Sequence, residues 1–278
     1  MARRPGSFPQ VVNLRAWLAP TPPGADLITD PAERRLVRLE LLVVFTVTLG
    51  LSGLSSLLSL LDALAQPTAL SQQSVAINVP QADVDVLDLL KQLVGVLRLT
   101  AWGALGLYLL YRAGMRLATI GLDGRRKGRD AALGVGLAAL IGLPGLGLYL
   151  VSHAIGINLA VAPSTLDDTW WRPLVLTLLA AANAWAEEML VVGYLISRLR
   201  QLGMRENASL FSAAVLRGSY HLYQGFGGFI GNVVMGLVFG RVWQRTNRLW
   251  PLVLAHTLLD FIAFVGYSLL RGKVSWLP

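Results

Sequence analysis

The chain contains no cysteine. That excludes disulfides, thiolate metal sites and cysteine nucleophiles. Charge is scarce as well: 14% of the 278 residues are Asp, Glu, Lys or Arg, against roughly a quarter in a soluble domain. Lysine is nearly missing, with 3 Lys beside 21 Arg. No HExxH helix occurs, so a standard zincin arrangement is excluded.

What is present is apolar. Hydrophobic residues make up 54% of the chain. They come in blocks about as long as a bilayer-spanning helix, roughly 20 residues. The sequence therefore predicts an all-α, polytopic membrane helix bundle. Seven spans are expected: 41–61, 89–111, 131–152, 173–197, 208–223, 226–243 and 250–270. A polar, Arg-containing arm (1–40) precedes them, and a short tail (271–278) follows. The first block, Leu41 to Leu61, has 21 residues without charge. Ala63-Leu64-Ala65 after it mimics a signal-peptidase site, but the block exceeds a signal h-region of about 7–15 residues. It reads as a span. Pro144 lies inside the third block, which a membrane helix tolerates when neighbours satisfy the freed carbonyl.

A net charge of +8 invites a nucleic-acid reading, but the basic residues sit in short loops between apolar blocks. The arm and the loops after spans two, four and six hold 18 Lys and Arg, the opposite side 4. Basic loops stay in the cytoplasm. The expectation is a multi-pass cell-membrane protein with a cytoplasmic N-terminus, partnered by lipid rather than nucleic acid. Gly134, Ala138 and Gly142 recur at helix-packing spacing, as do Gly227 with Gly231 and Gly236 with Gly240. Small faces of this kind let helix backbones approach closely.

Seven ionisable residues interrupt the spans: Arg98, Glu187, Glu188, Arg217, His221, His256 and Asp260. Each costs at least about 2.5–3.5 kcal/mol at a helix centre, so such residues mark function by default. Arg98 reads instead as a structural residue, snorkelling or paired with Asp88. Residues four apart share a helix face. Arg217 thus lies with His221, and His256 with Asp260. Glu187 and Glu188 are about 100° apart around their helix and take different partners. Asn183, one turn before Glu187, is placed to orient it. Tyr220, Tyr223, Trp170, Trp171 and Trp250 fall near span ends, where interfacial aromatics belong. Two carboxylates, two imidazoles and a further glutamate suit activation of water. A glutamate serves as general base, and imidazoles with a carboxylate stabilise an oxyanion or hold a metal.

The order of these residues resembles the CAAX protease and bacteriocin-processing (CPBP, Abi) family of intramembrane endopeptidases. Its pattern is EExxxR followed by Gly, then FxxxH, then HxxxN, on three helices. Here the first is EEMLVVG (Glu187 to Gly193), the second RGSYH (Arg217 to His221) and the third HTLLD (His256 to Asp260). The resemblance covers 173–270 and sets that segment apart from the N-terminal helices of 41–172. It implies hydrolysis of a peptide bond near the membrane. Glu187 would activate water with His221 as partner, Glu188 would support it, and His256 with Asp260 would form the oxyanion side. A divalent metal, zinc first, would sit on Glu187, His221, His256 and Asp260. Val192 replaces the motif arginine, Arg217 the phenylalanine and Asp260 the asparagine. Arg217 is expected to stand in for the missing arginine and pair with Glu188 or Asp260. A catalytically inactive scaffold or immunity protein, and a proton-coupled transporter, are the rival readings. The inverted repeats that a transporter predicts are not seen in the sequence.

Overall fold

The computed structural model describes residues 14–21 and 26–270. Arg271, Lys273 and the rest of the C-terminal tail lie outside the described residues, as does part of the N-terminal arm. A short α1 (Leu14–Leu18) is followed by α2 (Pro31–Val47) and α3 (Leu49–Ala65). Asp30 caps α2 by accepting from the Glu33 amide, and Pro31 occupies its first turn, both strong helix-start signals. Strand β1 (Ser74–Asn78), α4 (Asp85–Arg112), α5 (Leu117–Ile120), α6 (Lys127–Ala154) and β2 (Ala160–Ser164) come next. The C-terminal half holds α7 (Arg172–Glu187), α8 (Ser197–Gln201), α9 (Glu206–Ser219), α10 (Phe226–Thr246), α11 (Trp250–Phe261) and α12 (Tyr267–Leu270). A π-helical segment, Glu188–Ile196, joins α7 to α8 into one rod, and another, Ile262–Gly266, joins α11 to α12.

Among the described residues, five helices are long and apolar enough to cross a membrane, and a sixth span results if α2 and α3 are counted as one bent pair. Two expectations change here. The first block is not a straight span: the chain bends by 50° between α2 and α3. Thr48 adopts φ −126° and ψ −118° at the break, and its hydroxyl bonds back to the Val44 carbonyl at 2.6 Å, a contact that bends helices. Gly50 permits the bend, because a Cβ there would stand 2.5 Å from the Phe45 carbonyl oxygen. The second change is α9, expected as a full span. It has 14 residues, short of the roughly 20 needed. It ends at Ser219, and the chain reverses through the 3₁₀ turn Leu222–Gln224 and Gly225, whose φ is +108°. Because α10 returns to the side where α9 began, the alternation of basic loops survives the shortening.

The α7–α8 rod is the centre of the bundle. Its apolar window is 72% buried, against 17% for α4 and α6. Around it α9 and α10 form a close hairpin. A Cβ at Gly236 would lie 2.9 Å from the Ala214 Cα, and one at Gly240 would lie 2.4 Å from Leu210 Cδ1. Gly134 and Gly142 meet Leu254 and Leu259 of α11 in the same manner. The small-residue spacing thus marks real helix contacts. β1 and β2 form a two-stranded parallel sheet at the end of the bundle away from the basic loops.

Candidate active site

The six ionisable residues that interrupt the predicted spans of the C-terminal half come together where the end of α7, the end of α9 with the turn after it, and α11 meet. The π segment begins between the two glutamates, at Glu188; π turns are rare and favour functional sites. The two carboxylates point to different neighbours, as their angular separation requires. Glu188 is fully buried. Its Oε1 accepts from Arg217 Nη2 at 2.6 Å and lies 2.8 Å from His256 Nδ1. Arg217 thus does pair with Glu188, and it also stands 5.9 Å from the Phe239 ring centre. Val192, where the family pattern has arginine, is buried in the apolar core.

Glu187 faces the other way. Its Oε2 accepts from the Tyr220 hydroxyl at 2.7 Å. His221 Nε2 and Arg217 Nη1 each stand 4.0 Å from that oxygen, beyond a direct hydrogen bond and within the span of one bridging water. Gln224 Nε2 lies 3.3 Å from His221 Nδ1. With that amide donating, a neutral ring carries its proton on Nε2, the nitrogen facing Glu187. On α11, His256 Nε2 is 3.6 Å from Asp260 Oδ2, which accepts from Asn183 at 2.9 Å.

Three assignments differ from the sequence expectation. Asn183 orients Asp260 rather than Glu187, because its amide reaches across to α11. Tyr220 is not an interfacial aromatic: it is buried and bonded to Glu187. Trp171 is likewise buried and donates to Asp85 at 2.9 Å. Gln224 drew no attention in the sequence. Its only signal was position, three residues after His221 in the turn. Outside the site, Arg98 stacks at 6.0 Å over Trp102, while Asp88 accepts from Gln81 and Gln92.

Several buried atoms at this centre lack a hydrogen-bond partner among the described residues: His221 Nε2, Arg217 Nε and Nη1, and Glu188 Oε2. Unsatisfied buried polar atoms are costly, and here they are gathered in one place. A divalent metal was expected on Glu187, His221, His256 and Asp260. Among the described residues no three His, Asp or Glu are arranged to hold one. The Arg217 guanidinium occupies the space between the two glutamates, and His256 Nδ1 is engaged by Glu188.

Fold and site together define a polytopic helical membrane protein with a buried acid–base cluster at span depth. Residues 169–262 match the family described as type II CAAX prenyl endopeptidase Rce1-like, of the CPBP kind. That stretch, about a third of the chain, includes all six clustered residues. No curated protein and no solved structure matches the chain.

Proposed function

We propose that this chain is an intramembrane endopeptidase that cleaves a membrane-associated polypeptide by attack of an activated water. The observation that carries this reading is the unequal treatment of the two glutamates. Glu188 is held by Arg217 and His256. Glu187 has no cation within hydrogen-bonding distance and faces a hydroxyl and an imidazole. A carboxylate so placed serves as general base. Glu187 takes a proton from water while His221 Nε2 orients the oxygen, and the hydroxide adds to the scissile carbonyl carbon. His256, fixed by Glu188 through Nδ1, presents Nε2 beside Asp260 to the oxyanion. Glu187 then returns the proton to the leaving amide nitrogen as the C–N bond breaks. Tyr220 orients Glu187 throughout. No step of this reading is routed through a metal. Basic loops on one side support an inward N-terminus.

The test is hydrolysis of a quenched fluorescent peptide ending in a prenylated CAAX sequence by purified protein in liposomes. Glu187→Gln is expected to lower turnover by about 10²–10⁴-fold with the thermal unfolding midpoint unchanged. Activity is expected to survive dialysis against a chelator. No cleavage by wild-type protein on a panel of prenylated and unmodified peptides, with proton-coupled uptake instead, overturns the reading. Chelator-sensitive turnover overturns its metal-free chemistry.

A further inference from the structure

The two strands of the small sheet differ at their outer edges. The Ala160 amide donates to the Gln73 carbonyl, and Ser74 is in register with Ala160. In a parallel ladder the N–H and C=O of one residue point the same way and alternate along the strand. Gln73 and Val75 therefore face β2, while Ser74 and Ala76 turn away from it. On β2, Val161 turns away from β1 by the same alternation.

The outer edge of β2 is closed. The Val161 amide donates to the Tyr149 hydroxyl at 3.1 Å. Pro163 has no N–H to offer a further strand, while its carbonyl is held from the β1 side by the Asn78 side chain at 2.8 Å. Proline at such a position blocks further pairing. The outer edge of β1 has none of these devices. Its sequence, SVAIN, carries no charge and no proline. Among the described residues, no backbone hydrogen bond joins Ser74 or Ala76 to anything beyond the β1–β2 ladder. Edges left in this state are templates for another strand.

The open edge borders a cavity of about 700 Å³. Ser74 lines it, and so do Tyr220 and Tyr223, which flank His221. The far wall is a serine stripe on α3. Ser52, Ser55, Ser56 and Ser59 recur at i, i+3, i+4 and i+7, one face of α3, and all four line the cavity together with Asp62 one turn further on. Ser56 also donates to the Tyr220 carbonyl at 2.8 Å, tying this wall to the turn that carries His221. A groove walled by these serines thus runs from the unpaired strand edge to Tyr220, whose hydroxyl bonds Glu187.

We infer that β1 captures an extended segment of the substrate polypeptide as a third strand, through the backbone groups of Ser74 and Ala76, and feeds it along the α3 serine stripe to Glu187. The inference rests on the endopeptidase reading above for the identity of the occupant. Main-chain pairing supplies affinity without demanding a sequence, and peptide bonds in extended form are the ones a nucleophile can reach. A membrane-anchored helix presents no such groups, because its own backbone bonds are internal. The captured segment is therefore the unwound, water-facing part of the substrate.

Because the chain has no cysteine, a single introduced one reports unambiguously. Ser74→Cys is placed in the Glu187→Gln background and mixed with prenylated CAAX peptides carrying one free cysteine at successive upstream positions. Disulfide formation is expected to alternate with a period of two along the peptide. Uniform or absent cross-linking overturns the inference. Separately, Ala76→Pro removes an outward N–H without touching the ladder. It is expected to raise KM for the fluorescent peptide about tenfold, the order expected for lost main-chain hydrogen bonds, with kcat held within twofold. A fall in kcat with KM unchanged overturns it. Periodic cross-linking without any cleavage by wild-type protein retains the docking edge and removes the protease reading, so the two fail separately.

Discussion

Guanidinium–carboxylate pairs at the two depths of this bundle, the basic-loop end and the buried cluster, are built to different rules. At the end of the bundle with the basic loops, Arg248 uses every nitrogen. Nε bonds Asp130 at 3.1 Å, Nη1 bonds Asp123 at 2.5 Å, and Nη2 bonds the Asp123 carbonyl at 3.0 Å and the Asp130 carboxylate as well. Arg198 is equally complete, with Glu40 and Gln201 covering all three nitrogens. At span depth, Arg217 uses only Nη2 for Glu188, and its Nε and Nη1 are buried without partners. The group that pays most for an unmade hydrogen bond is the one left with two. A brace between helices has no reason to tolerate that, whereas a site that must meet substrate oxygens does. Completeness of pairing, rather than the presence of ion pairs, separates the Arg248 and Arg198 braces from the Arg217 cluster.

The largest effect that tests this contrast is on stability. Arg217→Leu leaves Glu188 buried beside only His256 and is expected to cost about 3–5 kcal/mol, the cost of breaking a buried pair. The double variant Arg217→Leu/Glu188→Leu is expected to recover much of that loss, because no uncompensated charge remains. Arg248→Leu leaves carboxylates close to the basic loops and is expected to cost less, about 1.5–3 kcal/mol, with a salt dependence that Arg217→Leu lacks. Chemical unfolding in detergent reads all three. An Arg217→Leu loss no larger than that of Arg248→Leu breaks the comparison.

A smaller effect falls on rate. Tyr220→Phe removes one hydrogen bond to Glu187 while keeping the ring that packs 4.9 Å from His221. A hydrogen bond to a charged group is worth about 1.5–3 kcal/mol, so kcat should fall by roughly 10- to 150-fold with little change in unfolding midpoint. Loss of stability without loss of rate would return Tyr220 to the structural side of the contrast.

The fold class was legible because lipid enforces long apolar blocks, and no soluble fold needs them. The cluster was legible through cost: Glu187, Glu188, Arg217, His221, His256 and Asp260 are all expensive to bury, and the structure brings them together. The swap of Val192 for the motif arginine pointed to Arg217 as its replacement, paired with Glu188 or Asp260, and the structure selects Glu188. Tyr220 and Gln224 were hidden for the converse reason. Aromatics and amides are cheap near a span end, so composition cannot tell an interfacial tyrosine from one bonded to a carboxylate. The break at Thr48 and the short α9 were missed because hydropathy counts apolar residues and is blind to backbone direction.

The smallest expected effect concerns the basic-loop end again, through Glu206. Its Oε2 accepts from the Thr21 hydroxyl at 2.5 Å and from the Thr21 amide, and its Oε1 from Arg241 at 3.2 Å with Arg245 2.9 Å away. Arg245 in turn bonds the carbonyl of Trp17 at 2.9 Å. Glu206 therefore clasps the 14–21 segment onto α9 and α10. Burial pushes its carboxyl up, but the Thr21 donors and the two arginines outweigh burial and hold it below the ordinary value. A lowered carboxylate stabilises the folded state fully above its unfolded pKa, about 4.3. That contribution is lost as pH falls through the lower folded value. Hydrogen exchange in residues 14–21 should thus rise as pH drops below about 4, once corrected for intrinsic rates, while α7 stays protected. In Glu206→Gln the segment should exchange fast at every pH and show no such step. A step that persists in that variant would assign the clasp to another group, and with it the view that this end is held by complete carboxylate pairing.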